Sequence, residues 1–272
     1  MADYVIRGGH QGYARLQVLA RTWWPTTSDL LRRAGSEPGM SCLDVGCGGG
    51  EVSLELARLV GPEGRVTGID MDEIKLGLGR EAATARGIDN VEFRVADVSD
   101  WRETTTYDLV YCRFLLQHLR RPLDLLVNMW AAVRPGGALV VEDADFEAAF
   151  CDPPNDGYEF WKRTYCTVLE RRGGDPLLGR KLYRYFSEAG IPDPDLDVAQ
   201  LAQTSGEAKT LALLTLEATA DPVVAEGVAS ETEVTAAIAS LTSFTADPST
   251  VLGSPRVFQV WATRPIGERP RG

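Results

Sequence analysis

Residues 43–53 read LDVGCGGGEVS and place four glycines in five positions, between an apolar run and a segment with helical spacing of apolar residues. Glycine at this density indicates a turn with positive φ angles, or a backbone that a ligand approaches closely. A strand, a glycine-rich turn and a helix in succession form the site at which an α/β sheet binds nucleotide-like ligands. The stretch therefore predicts both an α/β sheet and a ligand site at its edge.

The segments around this turn alternate between strand and helix patterns. Short apolar runs predict strands at residues 41–45, 65–70, 91–96, 107–114 and 138–141, and helical spacing predicts helices at 51–60, 72–86 and 122–133. Such alternation is typical of a parallel, doubly wound sheet, so the predicted fold class is α/β.

The ends of the chain follow a different pattern. Residues 11–34 predict two helices separated at Pro25. Residues 146–175 carry many aromatic side chains and interrupt the alternation. After them we predict a core helix at 177–189, a strand at 195–202, a helical region at 206–246 and a last strand at 256–263.

Composition limits the functional classes. The 272 residues carry a net charge of −11, which argues against sequence-independent binding to nucleic acid or anionic membrane, and the arginine pairs at 32–33, 120–121 and 171–172 are spread along the chain. No apolar run approaches the roughly 20 residues that span a bilayer, and the N-terminus has no hydrophobic signal region. Five cysteines without metal-ligand spacing and only two histidines predict free thiols, no metal site and a cytoplasmic location.

Two common ligand classes fit the glycine turn poorly. A dinucleotide site requires G-x-G-x-x-G, but counting from Gly46 or Gly48 puts Glu51 or Ser53 at the third glycine position. A phosphate loop of the Walker A type fails because no Gly-Lys-Ser/Thr follows. The pattern that does fit is Asp-x-Gly-x-Gly-x-Gly, formed by Asp44, Gly46, Gly48 and Gly50.

This pattern resembles motif I of the class I S-adenosylmethionine (SAM)-dependent methyltransferases, in the small-molecule branch that includes ubiquinone, menaquinone and natural-product enzymes. Later landmarks agree with the resemblance in order: an acid at the end of the second strand, ADV after the third, YDLVYCR in the fourth, and RPGG before the fifth. The resemblance implies a seven-stranded Rossmann-like sheet whose last strand is antiparallel and lies beside the fifth.

The resemblance also implies the residues that hold SAM, or the product S-adenosylhomocysteine (SAH). Asp70 would accept hydrogen bonds from the ribose, Met71 would cover adenine, and Asp97 with the Val98 N–H would contact its edge. The full cofactor set comprises Asp44, Gly46, Cys47, Gly48, Gly50, Asp70, Met71, Ala96, Asp97, Val98, Arg113 and His118.

The same resemblance divides the chain into a SAM-binding core and covering segments. Residues 1–34 form a helical lid, 35–145 the core, 146–176 an aromatic lid, 177–264 the rest of the core with a helical insertion at 204–250, and 265–272 a tail. We expect the acceptor pocket in the covering segments, where aromatic density is high. Its candidate residues are Tyr4, Trp23, Trp24, Gln117, Phe146, Tyr158 and Trp161.

Several roles have two interpretations. His118 follows the fourth strand and acts either as a general base or as a positioning residue. Trp23 and Trp24 either face the ligand or pack in the core. Glu142, Asp143 and Asp145 either bind a metal or a cationic substrate or, as we favour, lie at a solvated edge or form a hydrogen-bonded helix cap. For Cys47, packing is favoured over reactivity.

The function that follows is methyl transfer from SAM to an oxygen, nitrogen or carbon atom of a small organic acceptor, in natural-product or other specialised biosynthesis. A SAM-binding fold used for a non-methylating cyclisation remains as an alternative. An NAD-dependent oxidoreductase is disfavoured by the glycine register, and a nucleic-acid methyltransferase by charge. A homodimer is compatible with the sequence, and the acceptor is not determined by it.

Overall fold

The computed structural model describes residues 9–104 and 107–267, so the acceptor-pocket candidate Tyr4 lies outside the described residues. Its helices are α1 (Gly9–Arg33), α2 (Glu51–Val60), α3 (Glu73–Ala85), α4 (Pro122–Ala132), α5 (Asp156–Arg171), α6 (Leu182–Glu188), α7 (Leu211–Ala225) and α8 (Glu231–Ala246). Its strands are β1 (Ser41–Val45), β2 (Arg65–Asp70), β3 (Val91–Val95), β4 (Tyr107–Arg113), β5 (Val133–Asp145), β6 (Phe150–Asp152), β7 (Asp195–Ala199), β8 (Ala202–Gln203), β9 (Val251–Gly253) and β10 (Arg256–Thr263).

Seven strands form the central sheet in the order β3-β2-β1-β4-β5-β10-β7. The first five are parallel, and β10 runs antiparallel between β5 and β7. Crossover helices pack on both faces of the sheet, so apolar strand residues such as Val140 and Val141 are completely buried. The predicted doubly wound sheet with an antiparallel last strand beside the fifth is confirmed.

Some element boundaries differ from the predicted ones. β5 begins at Val133 and ends at Asp145, because it pairs along its length with both β4 and β10. The helix predicted at 177–189 is shorter, since a 3-10 turn at Gly179–Lys181 precedes α6. The helical region at 206–246 is divided: Gly227 ends α7 with φ 61°, and Ser230 begins α8 with a capping box.

The prediction of two N-terminal helices separated at Pro25 is wrong, because α1 continues through the proline. Proline removes one backbone hydrogen bond and costs about 3 kcal/mol inside a helix. Here the Thr26 hydroxyl donates to the Trp23 carbonyl, and the turns on either side bury Trp23, Leu30 and Leu31 almost completely. Burial of such side chains contributes roughly 1.5–3 kcal/mol each, which outweighs the cost of the proline.

The two segments outside the sheet pack against each other as one subdomain. α5, α7 and α8 share an apolar core that contains Tyr158, Tyr165, Leu216 and Leu241, and the small antiparallel sheet β6-β9-β8 borders it. The helical region at 206–246 and the aromatic segment at 146–175 therefore form one apolar core together. We call α5, α7, α8 and this small sheet the cap.

α1 connects the cap with the central sheet. The Thr27 hydroxyl donates to Glu142 on β5 at 2.7 Å, and Arg15 Nε donates to the Thr215 hydroxyl on α7 at 2.9 Å. α1 therefore closes one side of the space between the sheet edge and the cap.

The glycine turn is where backbone conformation is most constrained. Gly50 has φ 78°, and a Cβ atom there would lie 2.4 Å from the ring of buried Phe93. We expect Gly50→Ala to lower the free energy of unfolding by roughly 2–4 kcal/mol, because backbone strain and overpacking add.

Gly35→Ala is the matched control, since Gly35 has φ 86° but a Cβ atom there would have open space around it among the described residues. It should show only the backbone cost, about 1–2 kcal/mol. Urea denaturation of both variants measures the difference, and equal losses would contradict the role given to Phe93.

Candidate functional site

The glycine turn leaves β1 at the carboxyl edge of the sheet with three residues in the left-handed region, Gly46, Gly48 and Gly50. Gly46 N and Cys47 N both donate to the Ile69 carbonyl at the end of β2, at 2.8 and 3.0 Å. This pairing leaves the turn open towards a cavity of about 1330 Å³ between the sheet edge, α1 and the cap.

Asp70 ties this turn to the next loop. One carboxylate oxygen accepts from Gly48 N and the other from Asp72 N, both at 2.9 Å. A carboxylate has about four acceptor positions, so two remain for a ligand on the cavity side. Asp70 thus both shapes the turn and can accept hydrogen bonds from vicinal hydroxyls.

Two further acids line the cavity on this side. Asp44 is buried, accepts the Ser53 hydroxyl at 2.6 Å, and has its pKa raised to about 6 by burial, although Ser53 and Arg113 oppose the shift. Asp97 is exposed and accepts from Ser99 N at 2.9 Å, and this hydrogen bonding lowers its pKa. With Met71, Ala96 and Val98 they form a part of the cavity wall that we call the donor end.

α1 and the cap form the opposite part of the wall, which we call the acceptor end. It is largely apolar and aromatic: α1 supplies Leu19 and Trp23, and the cap supplies Trp161, Tyr165 and Leu211, with Phe146 at the start of the cap. Phe146 packs against Tyr165 with ring centroids 4.9 Å apart and ring planes tilted by 34°, and Trp23 contacts Phe114 edge to face at 5.9 Å. This surface suits a flat apolar ligand.

His118 lies at the boundary of the two ends, in the 3-10 turn Leu116–His118. Burial lowers its pKa to about 3, and the positive charges of Arg15 and Lys75 act in the same direction. The imidazole is therefore neutral at physiological pH and is a weak proton acceptor. This favours positioning over general base catalysis.

Asp143 holds that turn in place from beneath. It is fully buried and accepts from Gln117 N at 3.0 Å and from Ala144 N at 2.8 Å. Glu142 accepts from Thr27, Tyr111 and Gln259, and Asp145 accepts two hydrogen bonds from Arg180. All three acids are fully buried, so the expected solvated edge is wrong, and the expected helix cap holds for Asp145, which accepts from Glu147 N at 3.1 Å. The described residues contain no cluster of His, Cys, Asp and Glu able to hold a metal.

Most predicted site residues meet at this one cavity. Asp44, Gly46, Cys47, Gly48, Asp70, Met71, Ala96, Asp97, Val98, Arg113, His118, Trp23, Phe146 and Trp161 all line it. Burial raises the pKa of the Cys47 thiol well above its ordinary value, which agrees with a packing role.

Four predicted residues lie outside the cavity wall. Gly50 faces Phe93, and Trp24 packs against the core beneath the sheet. Gln117 is buried behind His118, and fully buried Tyr158 donates to the Gly253 carbonyl at 2.6 Å inside the cap. For Trp24 and Gln117 the prediction of a pocket-lining role is corrected, because helical and 3-10 geometry turn the neighbours Trp23 and His118 towards the cavity instead. For Tyr158 it is corrected because the side chain is buried in the apolar core of the cap.

Sequence reasoning missed the charged residues of the wall. Arg15 and Lys75 come from helices whose patterns look like ordinary amphipathic ones. The arginine pairs 120–121 and 171–172, far apart in sequence, meet at the cavity rim, where Arg121 pairs with Asp124 and Arg172 with Glu226. The doubled arginines were a visible signal, but their proximity depends on the fold.

Comparison with known proteins identifies the core. Residues 36–190 match the family model described as a methyltransferase domain. A ubiquinone biosynthesis O-methyltransferase from Acinetobacter baumannii is 34% identical over 143 residues, which are 47% of this chain and 59% of the relative. The alignment therefore spans less than two thirds of the curated relative.

Solved structures show the same fold over most of the chain. A putative methyltransferase from Bacillus halodurans has a TM-score of 0.58 at 18% identity, over 88% of this chain and 98% of that one. The [4+2]-cyclase SpnF has a TM-score of 0.55 at 18% identity, over 89% and 81%. No helix among the described residues is long and apolar enough to span a membrane.

The pKa of Asp143 generates a stability prediction. Burial raises this pKa from 3.8 to about 7, so the folded state keeps a proton that the unfolded state releases. The free energy of unfolding contributed by Asp143 therefore falls as pH rises from about 4 to about 7. Asp143→Asn should flatten this dependence, most clearly between pH 6 and 7, above the pKa of Asp44.

Urea titrations at half-unit pH steps from 4 to 8 measure the two slopes. The comparison uses the slope and not the absolute stability, because asparagine also loses one of the backbone hydrogen bonds. Identical slopes in the two proteins would contradict the assignment.

Proposed function

Because this chain belongs to the class I SAM-dependent methyltransferases, with its methyltransferase domain at residues 36–190, we propose that it transfers a methyl group from SAM to a small organic acceptor. The observation that carries the proposal is the cavity, whose donor end joins the glycine turn, Asp70 and Asp97, and whose acceptor end is apolar and aromatic. We further propose that the acceptor belongs to natural-product or related specialised metabolism.

The donor end fits SAM better than a phosphate-bearing cofactor. Asp44, Asp70 and Asp97 face the cavity there, and carboxylates would repel a pyrophosphate. Asp70 retains acceptor positions for two ribose hydroxyls, and Asp97, which Ser99 contacts, retains acceptor positions for a base amino group. When bound, SAM supplies an activated methyl group on a cationic sulfur.

The protein's own contribution is alignment and exclusion of water. Trp23, Phe114 and Phe146 offer rigid apolar surfaces that restrict the acceptor, and alignment of two reactants can supply about 7–11 kcal/mol of barrier reduction. His118, neutral and held by the turn above Asp143, is suited to orient an acceptor hydroxyl or amine.

A non-methylating reaction is the main alternative. The fold is shared with a [4+2]-cyclase, so the fold by itself does not decide the reaction. Incubation with SAM labelled in the methyl group and a panel of phenols, enols and amines tests the proposal. Label in the acceptor together with SAH formation supports it, whereas a rearranged product without SAH would contradict it.

Asp70→Ala tests the donor end. Removing an acceptor for charged hydrogen bonds should weaken SAH binding by about 1.5–3 kcal/mol, measured by calorimetry. Asp89→Ala, which removes an exposed acid near the start of β3, is the charge-matched control and should leave the affinity unchanged. An unchanged dissociation constant in folded Asp70→Ala would exclude Asp70 as a ligand.

His118 variants separate positioning from proton transfer. If His118 positions the acceptor, His118→Gln should keep kcat within a few-fold, and His118→Ala should lower kcat/KM by roughly 5–30-fold, the value of one hydrogen bond. A general base would instead lose about 10²–10⁴-fold in both variants. SAH affinity, measured in parallel, should change little in either variant.

A further inference from the structure

Arg15 is a cation on the cavity wall with a fixed orientation. Its side chain comes from the N-terminal third of α1, and only 9% of the residue is exposed. Nε donates to the Thr215 hydroxyl at 2.9 Å, and that hydroxyl donates in turn to the Leu211 carbonyl at 2.6 Å. Thr215 therefore presents a lone pair to the guanidinium and holds it against α7.

No acid of the described residues balances the charge of Arg15. Among the described residues Arg15 has no ion pair, and its one hydrogen bond uses one of the five guanidinium N–H donors. Burying a cation without an anion costs several kcal/mol, so such a group stabilises an anion that enters the cavity.

The acids of the cavity wall lie elsewhere or are already paired. Asp44, Asp70 and Asp97 belong to the donor end, and Asp100 lies in the same loop as Asp97. The other acids of the wall form ion pairs: Glu51 with Arg86, Asp72 with Lys75, Asp124 with Arg121, and Glu226 with Arg172. Around Thr215 the wall is apolar, since Leu211 and Ala212 on the preceding turn of α7 also line it. Of the two buried cations that line the cavity among the described residues, Lys75 pairs with Asp72 at the donor end, and Arg15 lies in the apolar part of the wall.

The direction of Arg15 separates it from the glycine turn. Tyr13 and Leu16 lie on the face of α1 that contacts this turn, at Gly49 and Gly48, and Gln17 on the same face bonds Glu51. Arg15 leaves the helix on another side and reaches α7 of the cap. Its charge nevertheless contributes to the low pKa of His118, so the two groups lie within electrostatic range.

We propose that Arg15, held by Thr215, binds a carboxylate of the acceptor, so that the acceptor is an aromatic or polycyclic carboxylic acid. This rests on the proposed methyl transfer, because that function makes the cap side of the cavity the acceptor site. A guanidinium matches a carboxylate in shape and can donate two parallel hydrogen bonds. The aromatic wall formed by Phe146, Trp161 and Tyr165 contacts the apolar body of the same molecule.

The test uses aromatic carboxylic acids of one, two and three rings, each paired with its uncharged methyl ester. Calorimetry on the SAH-saturated protein gives the preference for acid over ester within each pair. In at least one pair, we expect the wild-type protein to bind the acid at least about tenfold more tightly than the ester. In Arg15→Met the two affinities should agree to within about twofold. Arg15→Lys should show an intermediate preference, because lysine keeps the positive charge but lacks the two parallel N–H donors of the guanidinium.

Two variants keep the result interpretable. Arg32→Met, which removes an exposed arginine of the same helix that pairs with Asp29, should keep the wild-type preference. Thr215→Val changes the side-chain volume little but removes the hydroxyl that holds Arg15 Nε, so it should reduce the preference for the acid several-fold. This variant tests the proposal even where Arg15→Met fails to fold.

The outcomes separate a failure of the carboxylate-binding role of Arg15 from a failure of the proposed methyl transfer. Failure of the wild-type protein to bind SAH would contradict the proposed function. SAH binding without an acid preference in any pair would overturn only the role of Arg15. A loss of SAH affinity in Arg15→Met, with the acid preference intact, would also overturn it and make Arg15 a ligand of the donor.

Discussion

A buried carboxylate at the carboxyl edge of the sheet fixes the position of α1. Glu142 is completely inaccessible and accepts from Thr27 on α1, Tyr111 on β4 and Gln259 on β10, at 2.6–2.7 Å. A carboxylate removed from water requires such donors, and each hydrogen bond to a charged group contributes about 1.5–3 kcal/mol. This requirement holds α1 across the sheet edge, although its sequence carries a proline. The cavity exists because α1 is held there and reaches the cap at its other face.

The two ends of the cavity carry opposite charges, which the net charge of −11 for the whole chain does not reveal. The donor end concentrates carboxylates because strand-end loops of β1, β2 and β3 converge there, and the described contacts of Asp70 and Asp97 leave acceptor capacity towards the cavity. The acceptor end and the rim carry arginines, supplied by α1, α5 and the loop before α4. The protein thus keeps an acidic surface overall and still offers a cationic approach to its acceptor site.

His118 illustrates how surroundings decide a role that residue type leaves open. A histidine near the proposed position of methyl transfer suggests a base, but burial together with Arg15 and Lys75 brings its pKa to about 3. The same cations would stabilise an anionic acceptor. Activation of the acceptor by a positive field and orientation by a neutral imidazole are therefore consistent with one another, and neither requires His118 to carry a proton.

The sequence by itself determined the sheet and its crossover helices, because these depend on local periodicity, and it indicated the donor end through the resemblance of its motifs to the class I methyltransferases. Asp44, Gly48, Asp70 and Asp97 could be placed in one site because strand ends meet at one edge of a parallel sheet. Only the tertiary structure decided the acceptor end. Whether Trp23 or Trp24 faces the cavity, whether Gln117 or His118 does, and that Arg15 meets Thr215 across 200 residues depend on how α1 and the cap pack. Such packing is set by many weak contacts between distant segments, which no local pattern records.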